Sequence, residues 1–549
     1  MVMKMKKITS LLLICVFVLS LAITACTNNN ADNTPSDEYV DPTVNLPVLA
    51  SEDKYRNFYH IWVCAFNDSN GDETGDINGI IEKLDYLNDG NPETDTDLGV
   101  DGIWLSPIMP STSYHKYDVD DYMDIDPEFG TLEDFDRLIE ECDKRGIAVI
   151  LDLVLNHCGT DHEFWNKAVE EVIDGNLDGY ARYYNFTDGT PGVQGWHKIM
   201  AADGVWFEGQ FSGEMPEWNL NFEGTREYFE EVSKFWLERG VAGFRLDAVK
   251  YMTDAHTDGN EFLNWFYTTS QKYNPDVYMV GENWQDDAFI CDTYESGIDS
   301  QFAFSFATGQ GHYILSVNTA KGASLASKLK KYDDKTHEAN ENVINAMFLS
   351  NHDQVRSGGA LYGGLPYQKM AAAVYMLSPG NSFTYYGEEI GMETPEGYSG
   401  NDAYFRGPMI WDSTKEPDIW CVADAFSDCE LGGVEQQLQD ENSLLSFYRR
   451  VIKIKNQNPE IARGRIVENY PFEDKAICAY KVEYQGKELL IVHNLGCDGT
   501  ATVTIGEDIM ESPVIRGDLV ASDTEEKVSL SGTELKLPVQ STAVIASGN

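Results

Sequence analysis

The chain has 549 residues, 42% of them hydrophobic, which is too long for one ordinary core and too apolar for general disorder. Its 91 acidic residues against 40 basic ones give a formal net charge of -51. That balance repels phosphate backbones, so it argues against nucleic acid as a partner and suits a soluble surface with an uncharged ligand.

Residues 1–25 read as a targeting segment, with Lys4, Lys6 and Lys7 ahead of an apolar run from Ile8 to Ile23. A membrane-spanning helix competes with that reading, because the run is close to the needed length. Against it stands Ile23-Thr24-Ala25-Cys26, which looks like a bacterial lipobox with Cys26 as the lipidated residue. The expected location is therefore the extracytoplasmic face of a bacterial membrane, reached only through the lipid anchor. Residues 26–53, rich in Asn, Asp, Thr and Pro, read as a flexible tether. Of the ten cysteines, Cys15 leaves with the signal and no C-x-x-C pair occurs, so neither a disulfide framework nor a zinc site is expected. Cys421 and Cys429 could bridge a loop.

Phe58–Val63 reads as a first strand, and the segment after it is Asp68-Ser69-Asn70-Gly71-Asp72-Glu73-Thr74-Gly75-Asp76. Oxygen ligands at Asp68, Asn70, Asp72 and Asp76, with the Thr74 carbonyl, have the rhythm of a calcium loop. Gly79 holds the twelfth place, so an ordinary EF-hand is not implied. Ile77, Ile80, Ile81, Leu84 and Leu87 have helical spacing, and Val100–Pro107 reads as strand two. Leu132, Phe135, Leu138 and Ile139 form the next amphipathic helix, ahead of strand three at 147–150. Strand and helix alternate at the interval of parallel βα units. The rhythm breaks over 158–225, an aromatic-rich and irregular stretch read as an inserted domain. Phe229, Val232, Phe235, Trp236 and Leu237 resume the helical pattern. Strand six is expected near 301–306 and strand eight at Phe383–Tyr386, with a final helix over Leu444–Ile452. From about Gln457 short alternating strands mark a C-terminal all-β sandwich. The barrel is thus assigned to 54–157 and 226–456, and the sandwich to 457–549.

Four apolar strands deliver chemistry at their C-terminal ends. They are Ile150–His157 with Asp152, Asn156 and His157; Gly243–Lys250 with Arg245 and Asp247; Val277–Trp284 with Glu282; and Phe348–Asp353 with His352 and Asp353. That is the pattern of a (β/α)8 barrel, a TIM barrel, whose top face is an active site. In order, residue type and spacing these segments resemble the four shared motifs of the α-amylase family, glycoside hydrolase family 13, and its lipoprotein α-amylase and neopullulanase-like branch. The resemblance implies Asp247 as nucleophile, Glu282 as general acid and base, and Asp353 as the third acid. Strands ~4.8 Å apart suit the ~5–5.5 Å of a retaining carboxyl pair. By the same resemblance Tyr117 stacks on the sugar whose bond is cut, and His115, His157 and His352 bond it. Arg245 orients Asp247, Lys250 borders the leaving-group side, and Asp402 with Arg406 grips the next sugar out. It also implies calcium at the loop after strand one. Met215-Pro216-Glu217-Trp218-Asn219 resembles the family's fifth motif, but Glu217-Trp218 replaces its usual Asp-Leu, which weakens the case for a second calcium with Asn156. The implied activity is hydrolysis of α-1,4 bonds in starch, glycogen or maltooligosaccharides by a monomer. Alternatives are an oligo-1,6-glucosidase, a glucanotransferase or a non-catalytic glucan-binding protein. Ala248, small and next to the nucleophile, favours the α-1,4 linkage.

Overall fold

The computed structural model describes residues 56–252, 258–395, 401–415, 419 and 426–548. The signal segment, Cys26, the tether and Cys421 lie outside the described residues. Eight strands form the central sheet: β1 (Asn57–Ile61), β2 (Gly102–Leu105), β3 (Ala148–Leu153), β4 (Gly243–Leu246), β5 (Tyr278–Gly281), β6 (Ser300–Gln301), β7 (Ala346–Phe348) and β8 (Asn381–Tyr385). They pair in the order β7-β8-β1-β2-β3-β4-β5-β6, every pair parallel. A parallel bridge from Phe302 to Ala346 joins the two ends and brings the sheet round to a barrel. Helices follow the strands, among them Leu132–Arg145, Glu223–Leu237, Gly259–Ser270, Leu365–Met376 and Leu444–Gln457.

Alternation along the strands sorts the barrel interior into two levels. Phe58, Trp104, Ile150, Tyr278, Val280, Phe302, Phe348 and Phe383 pack as an aromatic plug. Phe58 stacks on Phe383 with ring centroids 4.7 Å apart, so the interior is filled rather than open. Two residues further along the same faces stand His60, Asp152 and Glu282, lifted to the C-terminal rim. Gly243 begins β4 because strands 4 and 5 meet closely there: a β-carbon on it would run into the Tyr278 carbonyl.

Several sequence expectations change. The helix expected over 77–87 is two pieces, Ile77–Glu82 and Leu84–Leu87, broken at Lys83. Strand six is only Ser300–Gln301, since Phe302, Phe304 and Phe306 turn in to pack instead of continuing the ladder. The insertion is not irregular. It holds the helix Glu163–Ile173 and an antiparallel sheet of Phe186–Asp188, Val205–Glu208 and Trp196–Lys198. Its strands are three or four residues long and half-buried, so they lack the apolar alternation that marks a strand in sequence. Aromatic packing ties this unit to β3: the Tyr122 hydroxyl donates towards the carbonyls of Val154 (2.8 Å) and His157 (2.6 Å), and Trp218 Nε1 donates to it at 3.3 Å. At the C-terminus the helical region continues through Pro459–Arg463, and strands begin at Arg465–Asn469. Five-stranded and three-stranded antiparallel sheets then enclose a core of Ile477, Leu490, Val492, Leu535, Leu537 and Ile545.

Candidate active site

Two guanidinium groups organise the C-terminal rim of the barrel. Asp152 on β3 and Arg245 on β4 are register partners, so their side chains leave the sheet side by side. Arg245 Nη1 lies 2.7 Å from Asp152 Oδ1 and 2.6 Å from Asp247 Oδ1, while Nη2 is 3.9 Å from Glu282 Oε2. One fully buried cation therefore faces three carboxyl groups. Burial pushes the Glu282 carboxyl up to about 8, with Arg245 opposing and the charges of Asp247 and Asp353 adding to the rise. The Ala248 N–H reaches Glu282 Oε2 at 3.1 Å, and the Glu282 N–H bonds the Leu246 carbonyl at 2.9 Å, which fixes strand 5 against strand 4.

Arg406 is the second centre. It lies 2.8 Å from Asp353 Oδ1 and 2.8 Å from Asp402 Oδ2, and its Nε donates to the His352 carbonyl at 3.0 Å. Its guanidinium sits 4.4 Å over the Trp62 ring. Burial works against the Asp353 charge, yet His352, Arg406 and Arg245 together hold its carboxyl well below the usual carboxylate range. Arg406 is 2% exposed while the Asp402 side chain is half-exposed, so the pair spans the edge between the buried site and solvent.

Tyr117 links the two centres. Its hydroxyl donates to Asp152 Oδ2 at 3.0 Å and stands 2.7 Å from His352 Nε2, which is itself 3.0 Å from Asp353. The Tyr117 ring stacks on His352 with centroids 5.5 Å apart. His157 is buried between the barrel and Phe211, whose ring is 4.9 Å away, and neither imidazole nitrogen makes a hydrogen bond of normal geometry. Burial lowers its pKa to about 4, so the imidazole is held neutral there. His115 instead bonds within its own loop, to Ser113 Oγ at 2.9 Å and the Tyr117 N–H at 3.2 Å. Lys250 lies on the turn after β4, its ammonium 4.5 Å over the Tyr251 ring.

The structure thus brings Asp247, Glu282, Asp353, Arg245, Tyr117, His352, Asp402 and Arg406 into one connected cluster. Asp152, Trp104 and Tyr114 belong to it as well; in the sequence Asp152 stands only as a strand-end acid without a role, and Trp104 and Tyr114 carry no site role. Trp104 Nε1 donates to Asp152 at 3.2 Å, and the Tyr114 hydroxyl donates to Asp402 at 2.8 Å. Asp152 had a signal, an acid on the inner face of a strand, but its partner could be known only from register.

In the loop after β1, Asp68 accepts the N–H groups of Asn70, Gly71 and Glu73, and Asp72 accepts that of Thr74. Asp76 caps the helix Ile77–Glu82 through the Gly79 N–H and also takes the Ser69 hydroxyl. Among the described residues no three acidic, His or Cys side chains are gathered tightly enough to hold a metal by themselves. The donors are nonetheless all oxygens on one turn, and the backbone bonds leave lone pairs on Asp68 and Asp72, which fits a hard cation. In the fifth motif Asn156 uses its carbonyl for the Trp218 N–H and Glu217 accepts the Gln210 N–H.

A parallel barrel with this set of carboxyls and guanidiniums at its C-terminal rim defines a glycoside hydrolase. The family model described as alpha amylase, catalytic domain, matches residues 60–464, and the chain belongs to the α-amylase family. Alpha-amylase 3 of Dictyoglomus thermophilum is 34% identical over 452 residues, covering 81% of this chain and 86% of that protein. The solved structure of Eubacterium rectale Amy13B superposes with a TM-score of 0.83 at 34% identity, covering 93% of this chain and all of that one. An oligo-1,6-glucosidase of Bacillus cereus is 28% identical over 544 residues, covering 83% of this chain and 93% of its own.

Proposed function

We propose that this chain is a retaining hydrolase of α-1,4-glucosidic bonds in starch, glycogen or maltooligosaccharides. The observation that carries the reading is the contrast between two carboxyls on adjacent strands: Asp247 in contact with Arg245 at 2.6 Å, and Glu282 raised to about 8 by burial. Such a pair divides the labour of a double displacement. Asp247 attacks the anomeric carbon while Glu282 gives its proton to the leaving oxygen. Glu282 then takes a proton from water, which displaces Asp247 from the covalent glycosyl intermediate. Asp353, His157 and His352 bond the ring hydroxyls, and Tyr117 covers an apolar sugar face.

The more similar curated relative carries the name alpha-amylase, and the more distant one the name oligo-1,6-glucosidase. Ala248 leaves room beside Asp247 for an α-1,4-linked ring. It also holds a left-handed backbone with φ 53, so a Val there would strain the chain as well as fill space. The linkage is therefore best read on the unaltered enzyme. Its kcat/KM on maltotriose should exceed that on isomaltose and panose by about tenfold or more. The reverse preference would replace this reading with the oligo-1,6-glucosidase one. We also infer a structural calcium held by Asp68, Asn70, Asp72 and the Thr74 carbonyl next to Asp76, and a lipid anchor on Cys26. Calcium there would neutralise the acidic turn and tie β1 to the helix after it.

A further inference from the structure

We propose that Lys116 is a positioning residue for the sugar site, an inference that rests on the glucan-hydrolase reading. Lys116 lies between Tyr114 and Tyr117 in the loop after β2 and adopts φ 62, a backbone conformation that side-chain-bearing residues avoid. It is only 4% exposed. It helps to line a cavity of about 590 Å³ together with Thr74, Ser111, Tyr114, Asp126 and Glu128. There its ammonium lies 2.8 Å from Asp126 Oδ2 and 2.8 Å from Glu128 Oε2. Asp126 is itself buried and fixed by the N–H groups of Ser111 and Glu128.

A lysine is costly to bury, and the pairing with Asp126 offsets that cost only in this backbone conformation. The anchored ammonium thus selects the left-handed turn. The turn in turn sends the two flanking rings to different targets. Tyr117 reaches Asp152 and His352 at 3.0 and 2.7 Å. Tyr114 reaches Asp402 at 2.8 Å and accepts from Arg406 at 2.8 Å. One residue that touches neither guanidinium centre therefore sets the geometry of both. Lys116 and Thr74 both line that cavity, so the clamp and the proposed calcium turn border one space.

Lys116→Met alone leaves a buried carboxylate unpaired, so the test pairs it with Asp126→Asn. This double variant and a second one, Lys116→Gly with Asp126→Asn, whose glycine adopts the left-handed turn freely, should both fold. Each should lose about tenfold or more in kcat on maltotriose per titrated active site, with KM changed by less than about threefold. Lys116→Arg should recover to within about threefold of the original kcat. Unchanged kcat in either double variant, a loss explained by the folded fraction alone, or failure of Arg to restore activity would each overturn the inference. An unaltered enzyme inert towards α-glucans would instead sink the parent reading, and this inference with it.

Discussion

Glu282 carries the most exposed consequence at the scale of single residues. Its ordinary value is 4.5, and burial raises it to about 8, so the proton needed by the leaving group is present below that pH and lost as pH rises through it. The profile of kcat/KM should therefore fall on an alkaline limb near pH 8. Glu282→Gln should abolish that limb and lower kcat on glucans by roughly 10²–10⁴-fold. A profile flat to pH 10 would contradict the assignment. The sign for stability is the same: between 4.5 and about 8 the folded enzyme binds a proton that the unfolded chain has released, so stability falls as pH rises across that window. Asp247, Glu282 and Asp353 could be read as strand-end acids from the chain alone, because period two and an abrupt polar end are local signals. Asp152 could be read so too, but its role could not, and Tyr114 gave no signal, because their importance comes from whom they meet. Asp152 meets Arg245 across a strand register, and Tyr114 meets Asp402 and Arg406 from a loop after another strand.

At the scale of elements, the loop after β1 and the helix it enters divide their acids between two tasks. Asp76 is 3% exposed and caps the helix, whereas Asp72 lies exposed on the turn. Asp76→Ala should cost ~0.5–2 kcal/mol with or without calcium. Asp72→Ala should instead weaken calcium binding by titration calorimetry and shrink the rise in Tm that calcium causes. An unaltered protein with neither heat nor Tm shift in millimolar calcium would contradict the site. The parallel strands and long helices were legible because their apolar periods are strong. The elements inside the insertion were not: Glu163–Ile173 opens on a histidine cap, with His162 accepting the Phe164 N–H, and the short strands are held by Trp165, whose ring packs on Phe186 and Phe207. Strand six, expected near 301–306, was placed but its extent was not, since two residues give no period at all.

For the whole molecule, a net charge of -51 repels phosphate backbones and suits the uncharged glucan proposed as substrate. Among the described residues no helix is long and apolar enough to cross a membrane. The anchor proposed at Cys26 is tested directly by labelling: Cys26→Ala should take up no fatty acid and should leave the membrane fraction if its signal is still removed. Incorporation of label into that variant would contradict lipidation at this cysteine. The central claim is the retaining chemistry of Asp247 and Glu282 on α-1,4-glucan, and stereochemistry reports on it before any mutation is made. Proton NMR should follow maltoheptaose from the first seconds of cleavage, ahead of mutarotation. The new reducing ends should appear first as the α anomer and only later equilibrate to β. A β signal that leads, or no cleavage of maltoheptaose by the active enzyme, would contradict that claim.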